Sequence, residues 1–153
     1  MHIEKNVCMN IVGKFLDIPS KSKDEMNSRL DLMEMNIRPE LALMVIGNRT
    51  YIPAACYTLS REKKYRFCKT LSEIKVPEGY SSNIRSLVSL DDLKLNGLKS
   101  HDCHILMQQL LPTTICSILV KNVRYTISRL CFFFNAICAR SSPYQSLMHC
   151  KKI

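Results

Sequence analysis

The sequence predicts a mainly α fold, an irregular array of about six helices. Apolar residues recur at three- and four-residue spacing in most segments, which is the periodicity of one face of a helix. The chain of 153 residues contains only four glycines, and no sequence repeat of about 20 to 50 residues is visible. These features favour a single helical array over a sheet-based or solenoid fold.

Two helices are predicted in the first quarter of the chain. The first covers residues 2–18, where apolar residues keep helical spacing until Pro19 ends the pattern. A polar break at residues 19–23 follows, and the second helix covers residues 24–35. Three residues are expected to form the apolar side of this second helix: Met26, Leu30 and Met33.

Residues 37–53 are the least determined stretch of the sequence. Pro39 interrupts the second helix, and Gly47-Asn48-Arg49-Thr50 with Pro53 marks a turn between two short apolar runs. The two runs either pair as strands or lie extended.

A third helix is predicted over residues 61–74, with Ser60 as its N-cap. Four of its residues are expected to point inward: Tyr65, Cys68, Leu71 and Ile74. A turn at residues 76–79 comes next. The residues after it suit a short helix built on Ile84, Leu87, Val88 and Leu90.

The C-terminal part of the chain is predicted to be helical throughout. Ser100 is expected to cap a helix over residues 101–111, and Pro112 fits the first turn of a resumed helix over residues 113–119. The last helix covers residues 121–139. Its broad apolar stripe contains Val123, Ile127, Leu130, Cys131, Phe134, Ile137 and Cys138.

The composition excludes several classes of protein. The glycines are too far apart for a dinucleotide-binding fingerprint or a P-loop, and the longest apolar runs fall short of the roughly 20 residues of a membrane span. The N-terminus lacks the apolar stretch of a signal peptide, and the eight cysteines include no C-x-x-C pair. We therefore expect a nuclear or cytoplasmic protein that is not secreted, with reduced thiols and no small-molecule substrate.

The charge is unevenly distributed, and the charged residues of the C-terminal third are all basic. Lys and Arg outnumber Asp and Glu by 22 to 13, and no acidic residue follows Asp102. Cations and flat rings share one side of the last helix, as they do on nucleic-acid-binding surfaces. These candidate DNA contacts are Lys121, Arg124, Tyr125, Arg129 and Phe132. A neighbouring segment that covers the rings explains them equally well.

His101, Cys103 and His104 form the densest set of potential metal ligands. A structural zinc ion needs four ligands, so Cys116 or Cys131 would have to complete the site. The alternative is a polar helix N-terminus. Because nothing in the spacing requires a metal, the sequence predicts no bound metal or other cofactor.

Several segments resemble plant CACTA (En/Spm-type) transposases and their relics. They occur in the same order over residues 1–139. They are Met1-His2-Ile3-Glu4-Lys5-Asn6-Val7-Cys8, Arg29-Leu30-Asp31-Leu32, Ile37-Arg38-Pro39-Glu40-Leu41, residues 49–53, 55–59 and 76–84, Leu98-Lys99-Ser100-His101-Asp102-Cys103-His104, and residues 122–138.

The resemblance implies the junction between a transposase catalytic domain of the RNase H type and a following domain of unknown function. Residues 1–18 would be the end of the catalytic domain, residues 19–59 a connecting segment and residues 60–139 a partial helical domain. Residues 140–153 form an unmatched basic tail. The chain is then expected to be a fragment, with an incomplete domain.

Transposases of this type are metal-dependent nucleases that use three carboxylates and a divalent cation such as Mg²⁺. By resemblance, Glu4 is the candidate for the last carboxylate, and the chain alone is expected to be catalytically inactive. DNA and other transposase segments or subunits are the implied partners. The alternative is a domesticated nuclear module that binds DNA or protein.

Overall fold

The computed structural model describes residues 2–18, 25–74 and 83–139, and its architecture is mainly α. The α-helices are α1 (His2–Leu16), α2 (Met26–Glu34), α3 (Arg61–Glu73), α4 (Ser100–Ile105), α5 (Leu111–Thr114) and α6 (Lys121–Ala139). A π-helical segment (Leu106–Leu110) joins α4 to α5, and 3₁₀ turns form at Pro39–Leu41 and Ile84–Leu87. The predicted mainly α array of about six helices is confirmed.

Two short antiparallel hairpins interrupt the helices. Strand β1 (Met44–Ile46) pairs with β2 (Arg49–Tyr51), and β3 (Val88–Ser89) pairs with β4 (Lys94–Leu95). Gly47 lies in the turn of the first hairpin at φ +63°, a left-handed conformation that glycine adopts without strain. The two apolar runs of residues 37–53 therefore pair. The second hairpin corrects the prediction that the helix beginning at Ile84 continues to Leu90.

The hydrophobic core lies among α1, α3, α6 and the helical segment from α4 to α5 (Ser100–Thr114), which we call the α4–α5 rod. Phe15 of α1 packs edge-on against Phe67 of α3, with ring centroids 6.1 Å apart. Four fully buried side chains from the rod and the turn after it occupy the centre: Leu106, Met107, Leu111 and Ile115. Among the described helices, none combines the length and apolar character that crossing a bilayer requires.

Helix α1 ends two residues earlier than predicted. Asp17 adopts a left-handed conformation at φ +53°, and the amide of Ile18 donates to the carbonyl of Gly13 at 2.9 Å. This reversal ends the helix before Pro19. The predicted break at residues 19–23, the turn at 76–79 and the tail at 140–153 lie outside the described residues.

The inner side of α2 differs from the prediction. Met26, Leu30 and Met33 are exposed, whereas Arg29 is 1% exposed. Its guanidinium donates to the carbonyl of Leu41 at 2.8 Å and to that of Pro53 at 3.2 Å. A buried guanidinium is stable only when its N–H groups are paired, and these carbonyls supply partners. Arg29 thus fastens α2 to the segment around the first hairpin.

Helix α3 begins as the sequence predicts. The hydroxyl of Ser60 accepts a hydrogen bond from the amide of Lys63 at 3.4 Å. The inner face contains Phe67, Cys68 and Leu71. Tyr65 was expected there but is exposed. Phe67, two residues later, points inward instead because its ring packs against Phe15.

The α4–α5 rod is continuous from Ser100 to Thr114. Lys99, rather than Ser100, is the N-cap residue, and its amide donates to the Asp102 carboxylate at 2.9 Å. Pro112 has no N–H to donate to the carbonyl of Gln108, and its ring would collide with that carbonyl in a regular α-helix. We attribute the wider π turn at Leu106–Leu110 to this constraint.

Candidate functional site

The candidate site is built around Glu4, a carboxylate in the first turn of α1. Glu4 lies on the same helix face as Cys8 and Val12, which point into the core. Only 4% of Glu4 is exposed. A carboxylate buried to this degree needs hydrogen-bond donors, since the cost of removing its charge from water is otherwise large.

Two side chains of the rod surround this carboxylate. Glu4 Oε2 lies 2.9 Å from His104 Nδ1, and Gln108 Nε2 donates to Glu4 Oε1 at 3.0 Å. His104 and Gln108 are four residues apart, so they share one face of the rod. The result is a compact Glu–His–Gln cluster between α1 and the rod.

The three polar groups of this cluster cannot all be hydrogen-bonded to one another at once. Gln108 Nε2 also lies 3.0 Å from His104 Nδ1. Nδ1 would have to donate a proton to the Glu4 carboxylate and, at the same time, accept one from Gln108. A single ring nitrogen does one or the other, so one of the two close contacts of His104 is left without a hydrogen bond.

Cys138, near the end of α6, adds a sulfur donor to the cluster. The ligand atoms of Glu4, His104 and Cys138 all lie within 4.8 Å of one another. The set contains one carboxylate oxygen, one imidazole nitrogen and one thiol sulfur. In the described part of the chain, it is the one group of three such residues close enough to hold a metal ion together.

This donor set does not fit the metal that the transposase resemblance implies. Mg²⁺ prefers oxygen ligands in octahedral geometry, and two-metal nuclease chemistry needs several convergent carboxylates. Glu4 is the one carboxylate in the cluster, and imidazole and thiolate favour softer cations. Among the described residues, the cluster around Glu4 therefore lacks the ligand set that two-metal nuclease chemistry requires.

Buried thiols lie beside the cluster. Cys8 and Cys103 are completely buried, and both are free thiols that hydrogen-bond to each other. The hydrogen bond with Cys103, together with burial, holds the pKa of Cys8 above its ordinary value. The same hydrogen bond lowers the pKa of Cys103.

The structure separates the three candidate zinc ligands of the sequence. His104 faces Glu4, whereas Cys103 is turned into the core beside Cys8 and His101 is exposed. Consecutive helix positions point about 100° apart, which explains why neighbours in the sequence reach different surroundings. His104 is the one member of the predicted trio that belongs to the cluster with Glu4.

The candidate DNA contacts lie on α6, and four of the five share one exposed stripe. Lys121, Tyr125, Arg129 and Phe132 follow one another at three- and four-residue spacing, with Tyr125 64% and Phe132 58% exposed. The guanidinium of Arg129 lies 5.7 Å from the centroid of the Tyr125 ring. We call these four residues the α6 stripe.

Arg124 differs from the other four residues. Its guanidinium donates to the carbonyl of Cys116 at 2.6 Å. The side chain therefore fastens α6 to the turn that precedes it. Because this hydrogen bond occupies one of its N–H groups, we assign Arg124 a structural role and leave it out of the α6 stripe.

The sequence interpretation missed Gln108, Cys138 and Cys8. Gln108 lies four residues after His104, and Cys8 lies four residues after Glu4. The i, i+4 relation could have marked both as neighbours of the residues already singled out. Cys138 carried no such signal, because it reaches the cluster only through the packing of α6.

Comparisons with protein-family models, with curated proteins and with solved structures each find no match for this chain.

Proposed function

We propose that this chain is a helical, transposon-derived module of the CACTA type that contacts DNA and does not cleave it by itself. The observation on which the proposal depends is the contact between Glu4 and His104. Each belongs to a segment that resembles these transposases, residues 1–8 and 98–104. These two segments are far apart in the sequence, yet they meet in one buried polar cluster. Their contact supports descent of this chain from a CACTA-type transposase.

The α6 stripe supports DNA as the partner. Lys121 and Arg129 supply cations for phosphates, and Tyr125 and Phe132 present flat rings at the same surface. No acidic residue follows Asp102 in the sequence, so the stripe lies in a strongly basic part of the chain. Electrostatic attraction to a duplex is the expected consequence.

The donor set around Glu4 supports the absence of nuclease activity. Hydrolysis of a phosphodiester in this enzyme class needs two cations held by several carboxylates. The cluster offers one carboxylate beside an imidazole and a thiol. The remaining carboxylates of the implied catalytic set have no counterpart among the ligand groups of the described residues.

The test of DNA binding is a fluorescence anisotropy titration of labelled duplex DNA with the full chain over a range of salt concentrations. We expect affinity to fall as salt rises, and we expect Lys121→Ala/Arg129→Ala to reduce the slope of log K against log salt by about two. The control, Arg49→Ala/Lys94→Ala, removes the same charge from the two hairpins. Salt-independent binding, or equal effects of both double variants, would contradict the proposal.

A second assay addresses catalysis. The full chain is incubated with supercoiled plasmid and Mg²⁺ or Mn²⁺, and nicking is followed on a gel. We expect no nicking above buffer. Cleavage that Glu4→Gln abolishes would show a working nuclease and overturn the non-catalytic part of the proposal.

A domesticated module that binds protein is the second candidate. Phe133 and Ile137 of α6 are exposed together with Phe132, and exposed apolar side chains of this size are typical of protein-binding surfaces. This alternative predicts that Phe132→Ser leaves DNA affinity unchanged when the titration is repeated with labelled single-stranded DNA. DNA binding by the α6 stripe predicts a loss of about 1–3 kcal/mol on that probe, the usual range for an aromatic ring stacked on an unpaired base.

A further inference from the structure

We propose that Glu4, His104 and Cys138 form a zinc site that joins α1, α4 and α6. The inference goes beyond the DNA-binding proposal and does not depend on it. It rests on the donor types and on the distances between them. It also replaces two of the three ligands that the sequence suggested.

The distances suit a tetrahedral ion. Bond lengths of about 2.0–2.3 Å place the ligand atoms of such a site roughly 3.3–3.7 Å from one another. Here Glu4 Oε2 and His104 Nδ1 are 2.9 Å apart, and all three ligand atoms lie within 4.8 Å of one another. Side-chain adjustments of about 1 Å therefore bring the three donors onto one ion.

A cation can take the place of the proton between Glu4 and His104. With a proton on Nδ1, His104 donates to Glu4 Oε2 across 2.9 Å while Gln108 donates to Oε1 at 3.0 Å. A cation between Nδ1 and Oε2 takes a lone pair from each. Gln108 then keeps its hydrogen bond to Glu4 Oε1 and orients the carboxylate.

The chemistry of the donors selects the metal. A thiolate and an imidazole favour Zn²⁺ over Mg²⁺ or Ca²⁺, and a carboxylate is an accepted third zinc ligand. The His104 side chain is 32% exposed and that of Glu4 only 5%. The ion can thus enter from the His104 side and bind against the buried carboxylate.

Three described ligands on three helices make the site a cross-link of the fold. Glu4 belongs to α1, His104 to the last turn of α4, and Cys138 to the end of α6. The unfolded chain does not hold these residues together, so zinc binding is coupled to folding. We expect zinc to raise the thermal unfolding midpoint of the full chain and a strong chelator to lower it.

The experiment measures metal content and the spectrum of the cobalt-substituted protein. The full chain is purified without chelators, dialysed against excess Mg²⁺, and analysed for zinc by mass spectrometry. We expect about one zinc per chain, and we expect Co²⁺ to give tetrahedral d–d bands with a thiolate-to-cobalt charge-transfer band. Folded wild-type chain with neither zinc nor these bands would refute the site.

Variants identify the ligands. Cys138→Ser and His104→Gln are expected to lower zinc affinity by at least a hundredfold, since even the loss of a supporting partner costs about 10- to 100-fold. Glu4→Gln keeps the size of the side chain and the hydrogen bond from Gln108, and it is expected to weaken zinc without loss of helicity by circular dichroism. It serves as the folded variant if His104→Gln unfolds.

Two matched controls complete the design. His101→Gln removes an exposed histidine three residues before His104, and Cys56→Ser removes an exposed thiol far along the chain from all three ligands. Both should retain full zinc. Unchanged zinc and an unchanged cobalt spectrum in Cys138→Ser would overturn the proposed ligand set, whatever the result of the DNA titration.

Discussion

Glu4 and His104 lie one hundred residues apart in the sequence, and their side chains meet with 2.9 Å between Oε2 and Nδ1. The contact ties the first turn of α1 to the end of α4. Because the Glu4 side chain is 5% exposed, solvent screens the contact far less than it screens an ion pair at the surface. Glu4 is thus a structural centre of this fold as well as a candidate ligand.

Replacement of Glu4 should destabilise the chain. Glu4→Ala removes the acceptor of Gln108 and the partner of His104, and we expect a loss of about 2 kcal/mol in the free energy of unfolding. Glu4→Gln retains an acceptor oxygen and should cost less. Urea denaturation followed by circular dichroism, with chelator present to remove any effect of metal, measures both. Exposed Glu34→Ala is the control, and its free energy of unfolding should stay within about 0.5 kcal/mol of the wild-type value. If Glu4→Ala lowers the free energy of unfolding no more than this control does, the structural role of Glu4 is contradicted.

Local sequence signals predicted the positions of the helices well, but they did not predict which residues of different helices lie in contact. Helical periodicity and the Ser60 cap placed α1, α3 and α6 within a few residues, because these signals act within one turn of the chain. The meeting of Glu4 with Cys138 depends on how α1 and α6 pack, and no local pattern encodes it. Resemblance singled out Glu4 and ligand type singled out His104, but nothing in the sequence joined them.

Two errors share one physical cause. Met26, Leu30 and Met33 were expected to form the inner, apolar side of α2, and Tyr65 was expected on the inner side of α3. Periodicity assigns a residue to a face by its polarity, whereas burial is decided by what the neighbouring segment offers. The carbonyls of Leu41 and Pro53 satisfy the Arg29 guanidinium inside the fold, and Phe15 selects Phe67 as its partner.

Arg29 should control the local stability of the segment that it fastens. Lysine carries three donors on one atom and cannot span two carbonyls of different segments as a guanidinium does. We expect Arg29→Lys to cost about 2 kcal/mol and to raise hydrogen exchange at Leu41 and in the first hairpin, with α6 unchanged. Hydrogen exchange with mass spectrometry resolves the segments. Exposed Arg49→Lys should change neither quantity, and a uniform rise over the whole chain would argue against a local role.

Arg124 and Arg129 should separate a structural from a binding role on α6. Arg124 donates to the carbonyl of Cys116 at 2.6 Å, whereas Arg129 stacks on exposed Tyr125. Arg124→Ala is therefore expected to lower the free energy of unfolding by about 1 kcal/mol, and Arg129→Ala to leave it nearly unchanged. Denaturant titration of both variants makes the comparison. A larger loss for Arg129→Ala would show that the stacked pair, and not the link to Cys116, supports the helix.

Two buried thiols should make the fold sensitive to alkaline pH. Burial raises the pKa of Cys68 from 9.0 to about 11, and burial, with a smaller effect of Glu4, does the same for Cys131. The folded state holds these protons more tightly than the unfolded state, so their contribution to stability is complete below pH 9.0 and is lost as the pH rises towards about 11. Denaturant titrations across this window, with reductant present, should show a falling free energy of unfolding.

Cys68→Ala/Cys131→Ala should flatten the slope of the free energy of unfolding against pH while lowering stability at neutral pH, because both side chains fill the core. Exposed Cys56→Ala should leave the slope unchanged. If the double variant keeps the wild-type slope, groups other than these two thiols set the alkaline limit.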